Sequence, residues 1–233
     1  MNKKLSIIIP CFNEENSIEQ IVEKVIEVAS SPYEIIIIDD FSTDKTRFIL
    51  ENNLKSKVDK LILNPSNLGK GYSLRQGIKE ASGDIILIQD ADLEYDPNDY
   101  KKLIEPIISG HADVVYGSRF TGAEKKRVLY YWHMIGNKIL TTLSNMFTNL
   151  NLTDMEVGYK VFKSDVLKDI KLNEDRFGFE PEITAKIAKK KLRIYEVGIT
   201  YHGRRYSEGK KITWRDGFSA IRCIILYNLI KKW

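Results

Sequence analysis

The 233-residue chain has only two cysteines, Cys11 and Cys223. They lie too far apart for a close-spaced disulfide framework or a metal-ligand pair, which favours a reducing, cytosolic setting. There is no apolar run of ~18 residues, the length a bilayer-spanning helix needs. There is no leader pattern either, since the apolar stretch Leu5–Pro10 is short and reads as a first strand. A dominant sign of charge is also missing. Against 36 Lys and Arg stand 32 Asp and Glu, and a net charge of +4 is not the strongly basic face of a nucleic-acid binder. Two phosphate-binding signatures are absent. No Gly-x-Gly-x-x-Gly follows the first strand, and Asn67-Leu68-Gly69-Lys70-Gly71 lacks the spacing and the Ser/Thr of a Walker A loop. No internal repeat or low-complexity tract interrupts the chain, and neither His111 nor His133 has a second ligand at metal-binding spacing.

What is present is a hydrophobic content of 43%, ample for one α/β core, arranged as alternating strands and helices. Short β-branched runs at Leu5–Pro10, Tyr33–Ile38, Val58–Leu63, Ile85–Ile88 and Ala112–Arg119 read as buried strands. Between them, apolar residues at helical spacing predict helices: Ile18, Ile21, Val22, Val25 and Ile26 after Ser17, then segments near 45–52, 72–81 and 97–109. This alternation predicts a parallel sheet with crossover helices. Further on, an amphipathic helix over 128–147 follows Tyr130-Tyr131-Trp132, and 154–162 reads as a short strand or loop. A helix over 182–191, a strand over 192–197, a basic loop over 201–211 and a last amphipathic helix over 216–230 complete the chain. The chain therefore divides into a catalytic-sized domain at 1–211 and a carboxyl-terminal amphipathic helix at 212–233.

The strongest strands share one property: each delivers polar residues at its carboxyl end. In an open α/β sheet that is the rim on which ligands bind. Ile85–Ile88 runs into Asp90-Ala91-Asp92, two carboxylates one residue apart that repel each other unless a cation lies between them. A hard divalent ion carrying phosphate suits that pair. Asp39-Asp40, Pro10 to Glu15 and Gly117-Ser118-Arg119 are the other exits on the same rim, whereas Asp44 reads as the cap of the following helix.

Taken together, Ser6-Ile7-Ile8-Ile9-Pro10-Cys11-Phe12-Asn13-Glu14, Ile38-Asp39-Asp40-Phe41-Ser42-Thr43-Asp44, Asn67-Leu68-Gly69-Lys70-Gly71, Asp90-Ala91-Asp92 and Gly117-Ser118-Arg119 resemble the family 2 glycosyltransferases. The resemblance spans residues 5 to 120 in order and spacing, and Gly158-Tyr159-Lys160-Val161-Phe162 with Phe177-Gly178-Phe179-Glu180 extend it towards residue 200. Within that family the chain looks most like the dolichol-phosphate mannosyltransferase and polyprenyl-phosphate glycosyltransferase group.

The resemblance implies a GT-A fold, a Rossmann-like and mostly parallel sheet flanked by helices, and inverting transfer from a UDP- or GDP-sugar to a polyprenyl phosphate. It implies that Pro10, Phe12 and Glu14 line the nucleoside pocket, with Ile38 and Asp40 around base and ribose. Asp90 and Ala91 would touch nucleotide or sugar, and Asp92 with Glu94, beside Asp90, would hold Mg²⁺ or Mn²⁺. Glu94 stands where the group commonly carries Gln, and remains a hard oxygen donor. Lys70, Arg119, Arg204 and Arg205 would meet phosphates of the donor, and Arg119 with Arg127 the acceptor phosphate.

An alcohol acceptor needs a general base, but a phosphate monoester does not, because its second pKa of about 6 leaves it largely dianionic. Two alternatives stay open at this point. One is the same fold acting on a saccharide or other hydroxyl, with Glu182 as base; the other is a non-catalytic nucleotide-sugar-binding protein. The helix over 128–147 and the carboxyl-terminal helix with Lys231-Lys232-Trp233 suit peripheral contact with the cytoplasmic face of a membrane, or with a membrane protein.

Overall fold

A computed structural model of the chain describes residues 3–29, 32–122, 125–128, 130–205 and 214–230. The expected domain boundary at 211/212, the distal half of the basic loop from Tyr206 and the terminal Lys231-Lys232-Trp233 lie outside the described residues.

The strands are β1 (Leu5–Cys11), β2 (Tyr33–Asp39), β3 (Lys60–Leu63), β4 (Ile85–Ile88), β5 (Val114–Ser118), β6 (Lys160–Lys163) and β7 (Ile194–Gly198). They form one seven-stranded sheet in the order β3-β2-β1-β4-β6-β5-β7. Every pairing is parallel except those of β6, which runs antiparallel to both β4 and β5. This is the mostly parallel sheet flanked by helices that the sequence predicts. Ile7, Ile8 and Ile9 on β1, Ile35 to Ile38 on β2 and Ile86-Leu87 on β4 are fully enclosed. Their unbroken apolar runs are what a sheet covered on both faces requires.

The helices are α1 (Ile18–Val28), α2 (Thr46–Ile49, continuing as a π turn over Leu50–Leu54), α3 (Lys70–Glu80), α4 (Tyr100–Ile108), α5 (Tyr131–Thr148), α6 (Ser164–Lys168), α7 (Phe179–Lys189) and α8 (Trp214–Ile225, continuing as a π turn over Leu226–Ile230). Ser17 precedes α1 as predicted but does not cap it through its side chain; its hydroxyl instead donates to Glu14 Oε2 at 2.7 Å. The helix predicted to begin at 182 begins at Phe179, so Glu180 and Pro181 belong to its first turn. That shift decides which of two carboxylates faces the site. Helices α5, α7 and α8 pack on one another as a separate layer, with Ala185, Cys223 and Tyr227 as its small apolar core.

At the end of the sheet opposite the polar rim, one carboxylate ties three strands together. Glu34 on β2 accepts from Ser6 Oγ of β1 at 2.5 Å, from Ser82 N at 2.6 Å and Ser82 Oγ at 2.8 Å ahead of β4, and from Lys4 Nζ at 3.0 Å. Burial opposes its charge, but these donors outweigh the penalty and hold its pKa down at about 2. Replacement by Ala leaves those donors unmet and is expected to cost on the order of 2–3 kcal/mol at neutral pH. The folded-state pKa is depressed, so the wild-type advantage is complete above pH 4.5 and fades as pH falls towards about 2. Denaturant titrations of wild type and Glu34→Ala from pH 7 down to pH 3 measure this, and a pH-independent gap would refute it.

Candidate active site

The site grows out of three strand exits that share a backbone feature. Asn13 after β1, Phe41 after β2 and Leu93 after β4 all adopt left-handed backbone, with φ of 49°, 63° and 58°. For Phe and Leu that conformation is costly, and it persists only where surrounding contacts over-determine it. The first two exits are laced together, with Asn13 N donating to Ser42 Oγ at 2.9 Å and Thr43 N to Asn13 Oδ1 at 2.8 Å.

The loop ahead of α3 is shaped by Asp40. Its carboxylate accepts from Leu68 N at 2.9 Å, Gly69 N at 2.8 Å and Asn64 Nδ2 at 2.9 Å. Gly69, at φ 102°, is pressed so closely on the Asp175 carbonyl that no Cβ fits. The result aims the ammonium of Lys70, the first residue of α3, between two carboxylates: Asp90 Oδ1 at 2.8 Å and Glu180 Oε1 at 3.2 Å. Burial disfavours that charge, but the two carboxylates more than reverse the effect and push the Lys70 pKa up.

A second cation serves the rest of the acidic corner. The Arg204 guanidinium meets Glu14 Oε2 at 3.0 Å and Asp92 Oδ2 at 2.9 Å, while its Nε lies 3.6 Å from Glu94 Oε1 and has no hydrogen-bond acceptor among the described residues. Glu94 also accepts from Arg204 N at 2.8 Å and from Tyr201 Oη at 2.7 Å, fixing the segment that carries the arginine. Burial first, then the charges of Asp90 and Glu94, raise the Asp92 pKa to about 7 against the pull of Arg204. A third cation, Arg119 at the end of β5, is held by fully buried Asp154 through two bonds, Nε to Oδ2 at 2.6 Å and Nη2 to Oδ1 at 2.7 Å. Its guanidinium lies over the Tyr201 ring at 5.3 Å.

These groups line one cavity of about 850 Å³. It brings together Pro10, Phe12, Glu14, Asp40, Lys70, Asp90, Ala91, Asp92, Glu94, Arg119 and Arg204, as the sequence predicts. Four predicted residues are not on its wall. Ile38 is wholly enclosed in β2, its side chain packed beneath Gly77 of α3, and so cannot border a base or ribose. Arg127 donates to the Gly203 carbonyl at 2.9 Å, bracing the loop before Arg204, and Arg205 is exposed.

Glu182 is the larger correction. It is sealed in the interior, accepting from Asn173 N at 2.9 Å, Glu174 N at 2.8 Å and the ammonium of Lys186. It ties down the 173–174 loop and has no path to a substrate. Residues 180 and 182 of a helix lie some 200° apart around its axis, and it is Glu180 that faces the cavity. Lys186, four residues after Glu182, was the readable signal of an internal pair. Sequence reasoning passed over Glu156 and Tyr95 on the wall, and it read the helices carrying Trp132, Met134, Ile139, Leu140, Phe218 and Ile221 as a membrane-facing surface rather than as cavity lining.

Asp92, Glu94 and Glu14 are hard oxygen donors directed at one cation, which is the donor chemistry a divalent ion takes. Their present spacing is set by a guanidinium, and among the described residues no cluster is already closed to metal-binding distances. The donor set fits Mg²⁺ or Mn²⁺ once Arg204 yields its place.

With that geometry in view, the chain can be placed among known proteins. Residues 6–171 match the profile of Glycosyl transferase family 2, and the chain belongs to that family. It is 30% identical over 226 residues to the low-salt glycan biosynthesis hexosyltransferase Agl6 of Haloferax volcanii, covering 95% of this chain and 53% of that protein. It is 29% identical over 232 residues to the dolichol-phosphate mannosyltransferase of Pyrococcus furiosus (98% and 64%), and 27% over 215 residues to the dodecaprenyl-phosphate galacturonate synthase of Rhizobium johnstonii (89% and 61%). The chain thus spans about half to two thirds of the length of these relatives. Glucosyl-3-phosphoglycerate synthase from Mycobacterium tuberculosis, solved with Mn²⁺, UDP and glucosyl-3-phosphoglycerate, superposes with a TM-score of 0.77 at 18% identity, covering 99% of this chain and 82% of that one. That likeness establishes the GT-A fold.

Glu182→Gln leaves the buried Lys186 without its carboxylate, and the expected loss of stability is about 3–5 kcal/mol. Urea unfolding measures it. Undiminished stability together with abolished turnover would return Glu182 to the site as a base.

Proposed function

We propose that the chain catalyses metal-dependent, inverting transfer of a sugar from a UDP- or GDP-sugar to a polyprenyl phosphate at the cytoplasmic face of a membrane. The observation that carries this reading is the two-ended cavity. One end is the carboxylate and cation rim of the sheet; the other is the apolar wall of Trp132, Met134, Ile139, Leu140, Phe218 and Ile221 from α5 and α8. A nucleoside diphosphate-sugar matches the first end and an isoprenoid chain the second. The dolichol- and dodecaprenyl-phosphate enzymes among the relatives support the same acceptor class.

Pro10, Phe12 and Glu14 border the nucleoside, and Asp40 shapes that end by holding the 68–69 backbone. Asp92 and Glu94, beside Asp90, would hold Mg²⁺ or Mn²⁺, and when bound the ion supplies Lewis-acid stabilisation of the leaving diphosphate. Arg119, kept rigid by Asp154, presents a preorganised cation to a phosphate. Lys70 keeps Asp90 in place and balances its charge. Arg204, which pairs with Glu14 and Asp92, would be available to the diphosphate if those carboxylates held an ion. An acceptor that is already an anion needs no base, so the enclosure of Glu182 costs this reaction nothing, whereas the hydroxyl-acceptor alternative loses the base assigned to it. The array of carboxylates, held at electrostatic cost, counts against a non-catalytic binding protein.

Among the described residues no helix is long and apolar enough to cross a membrane. Exposed Trp132, Met146, Phe218 and Leu229 on the α5–α8 layer suit peripheral contact.

The test is a screen of purified protein with UDP- and GDP-sugars, Mg²⁺ or Mn²⁺, and undecaprenyl or dolichyl phosphate. Transfer to the lipid phosphate is expected; turnover confined to hydroxyl acceptors would overturn the reading. Asp92→Asn is expected to lower cation-dependent turnover by roughly 10²–10³-fold, and wild-type kinetics for that variant would remove the metal assignment.

A further inference from the structure

Among the described residues, two buried carboxylate oxygens on the cavity wall have no hydrogen-bond donor: Glu156 Oε1 and Glu180 Oε2. A buried acceptor without a donor costs roughly 1–3 kcal/mol, and such groups persist where a ligand completes them. Glu180 is no loose surface group, because its side chain is only 6% exposed and its other oxygen is held by Lys70. Lys70 also binds Asp90, so Glu180 sits one cation away from the residue that opens the acidic run. Glu156 stands close enough to Glu180 for the charge of Glu180 to act on it. Two residues beyond Glu156, Gly158 is pressed so closely on the Asp90 carboxylate that a Cβ there would collide with it. Both oxygens therefore belong to residues of the cavity wall, Glu180 tied to Asp90 through Lys70 and Glu156 on the segment that meets Asp90 at Gly158.

We propose that Glu156 and Glu180 recognise hydroxyl groups of the transferred sugar, and that together they select a neutral hexose over a hexuronic acid. The proposal rests on the donor reading given above. Sugar hydroxyls supply the donors that both oxygens lack. A sugar carboxylate supplies none, and it brings another negative charge towards Asp90 and Glu180.

The local charge balance agrees. Burial, then the charge of Glu180, push the Glu156 pKa up to about 8 against the pull of Lys160 and Arg119. Lys160 cannot spare a proton-rich ammonium for a further anion. It is wholly enclosed against the Tyr116 ring, its ammonium donates to the Val157 carbonyl, and burial lowers its pKa to about 8. Arg119 is engaged by Asp154, and Lys70 by Asp90 and Glu180. A hydroxyl both donates and accepts, so it satisfies Glu156 in either protonation state.

Calorimetric binding with Mn²⁺ tests this, using UDP, UDP-glucose and UDP-glucuronic acid, and in parallel GDP, GDP-mannose and GDP-mannuronic acid. For whichever nucleotide binds, the neutral-sugar conjugate is expected to bind about tenfold or more tighter than its uronic counterpart. Glu156→Gln and Glu180→Gln are each expected to keep the affinity for the bare nucleotide within about threefold while lowering that preference by about tenfold. Glu156→Gln disturbs no bond of the free oxygen, so it remains informative if Glu180→Gln, which weakens the Lys70 bridge, does not fold. Equal or tighter binding of the uronic conjugate by the wild type overturns the selection, as does a Glu156→Gln variant with unaltered preference. If neither UDP nor GDP binds, the donor reading itself falls and takes the subsite with it.

Discussion

The rim of this sheet gathers more negative charge than a partly enclosed cavity tolerates by itself. Glu14, Asp90, Asp92, Glu94, Glu156 and Glu180 all border one space. Like charges at such distances force either protonation or a compensating cation. The fold supplies cations from distant parts of the sequence, among them Lys70 at the start of α3, Arg119 at the end of β5 and Arg204 beyond β7. Each is held by its own anchor: Gly69 and the Asp175 backbone for Lys70, Asp154 for Arg119, Glu94 and Tyr201 for the segment that carries Arg204. Long-range order here follows from charge balance as much as from burial of the apolar strands.

Much of this was legible in the sequence because it repeats one local rule. Strands β1, β2, β4 and β5 are short apolar runs ending in polar residues, and in a parallel sheet those ends share a rim. Asp90, Asp92, Glu14, Asp40 and Arg119 were recoverable on that basis. The rule fails at β6. This strand runs against its neighbours, so the residues that reach the rim are those before it, Asp154 to Gly158, where strand-exit reasoning does not look. Glu156 was missed for that reason. Ile38 was misplaced because it still lies inside β2, where its side chain is enclosed beneath Gly77 of α3, whereas Asp40 lies just past the strand end and reaches the loop. Glu182 was misassigned because a helix start displaced by three residues reverses which carboxylate faces inward.

Arg204 gives the acidic corner a resting partner. Its guanidinium occupies the focus of Glu14, Asp92 and Glu94, and the backbone amide of the same residue is bonded to Glu94. An ion held at that focus would take the place of an arginine whose backbone amide is tethered to one of the prospective donors. Displacement of the side chain and attachment of its segment are therefore linked through a single carboxylate, which couples the state of the corner to the position of the 201–205 segment.

The apolar wall stands apart from all this. Of the 18 residues of α5 only Thr141 and Ser144 are buried, and the helix packs on α7 and α8 rather than joining the sheet. The acidic rim, by contrast, is cut from the most enclosed strands of the molecule. Substitutions along α5 therefore carry little folding penalty, while those beneath Asp40 or Asp90 disturb the core. The two parts of the cavity can diverge at different rates: the apolar wall can change by surface mutation, while the acidic rim stays locked to the stability of the sheet.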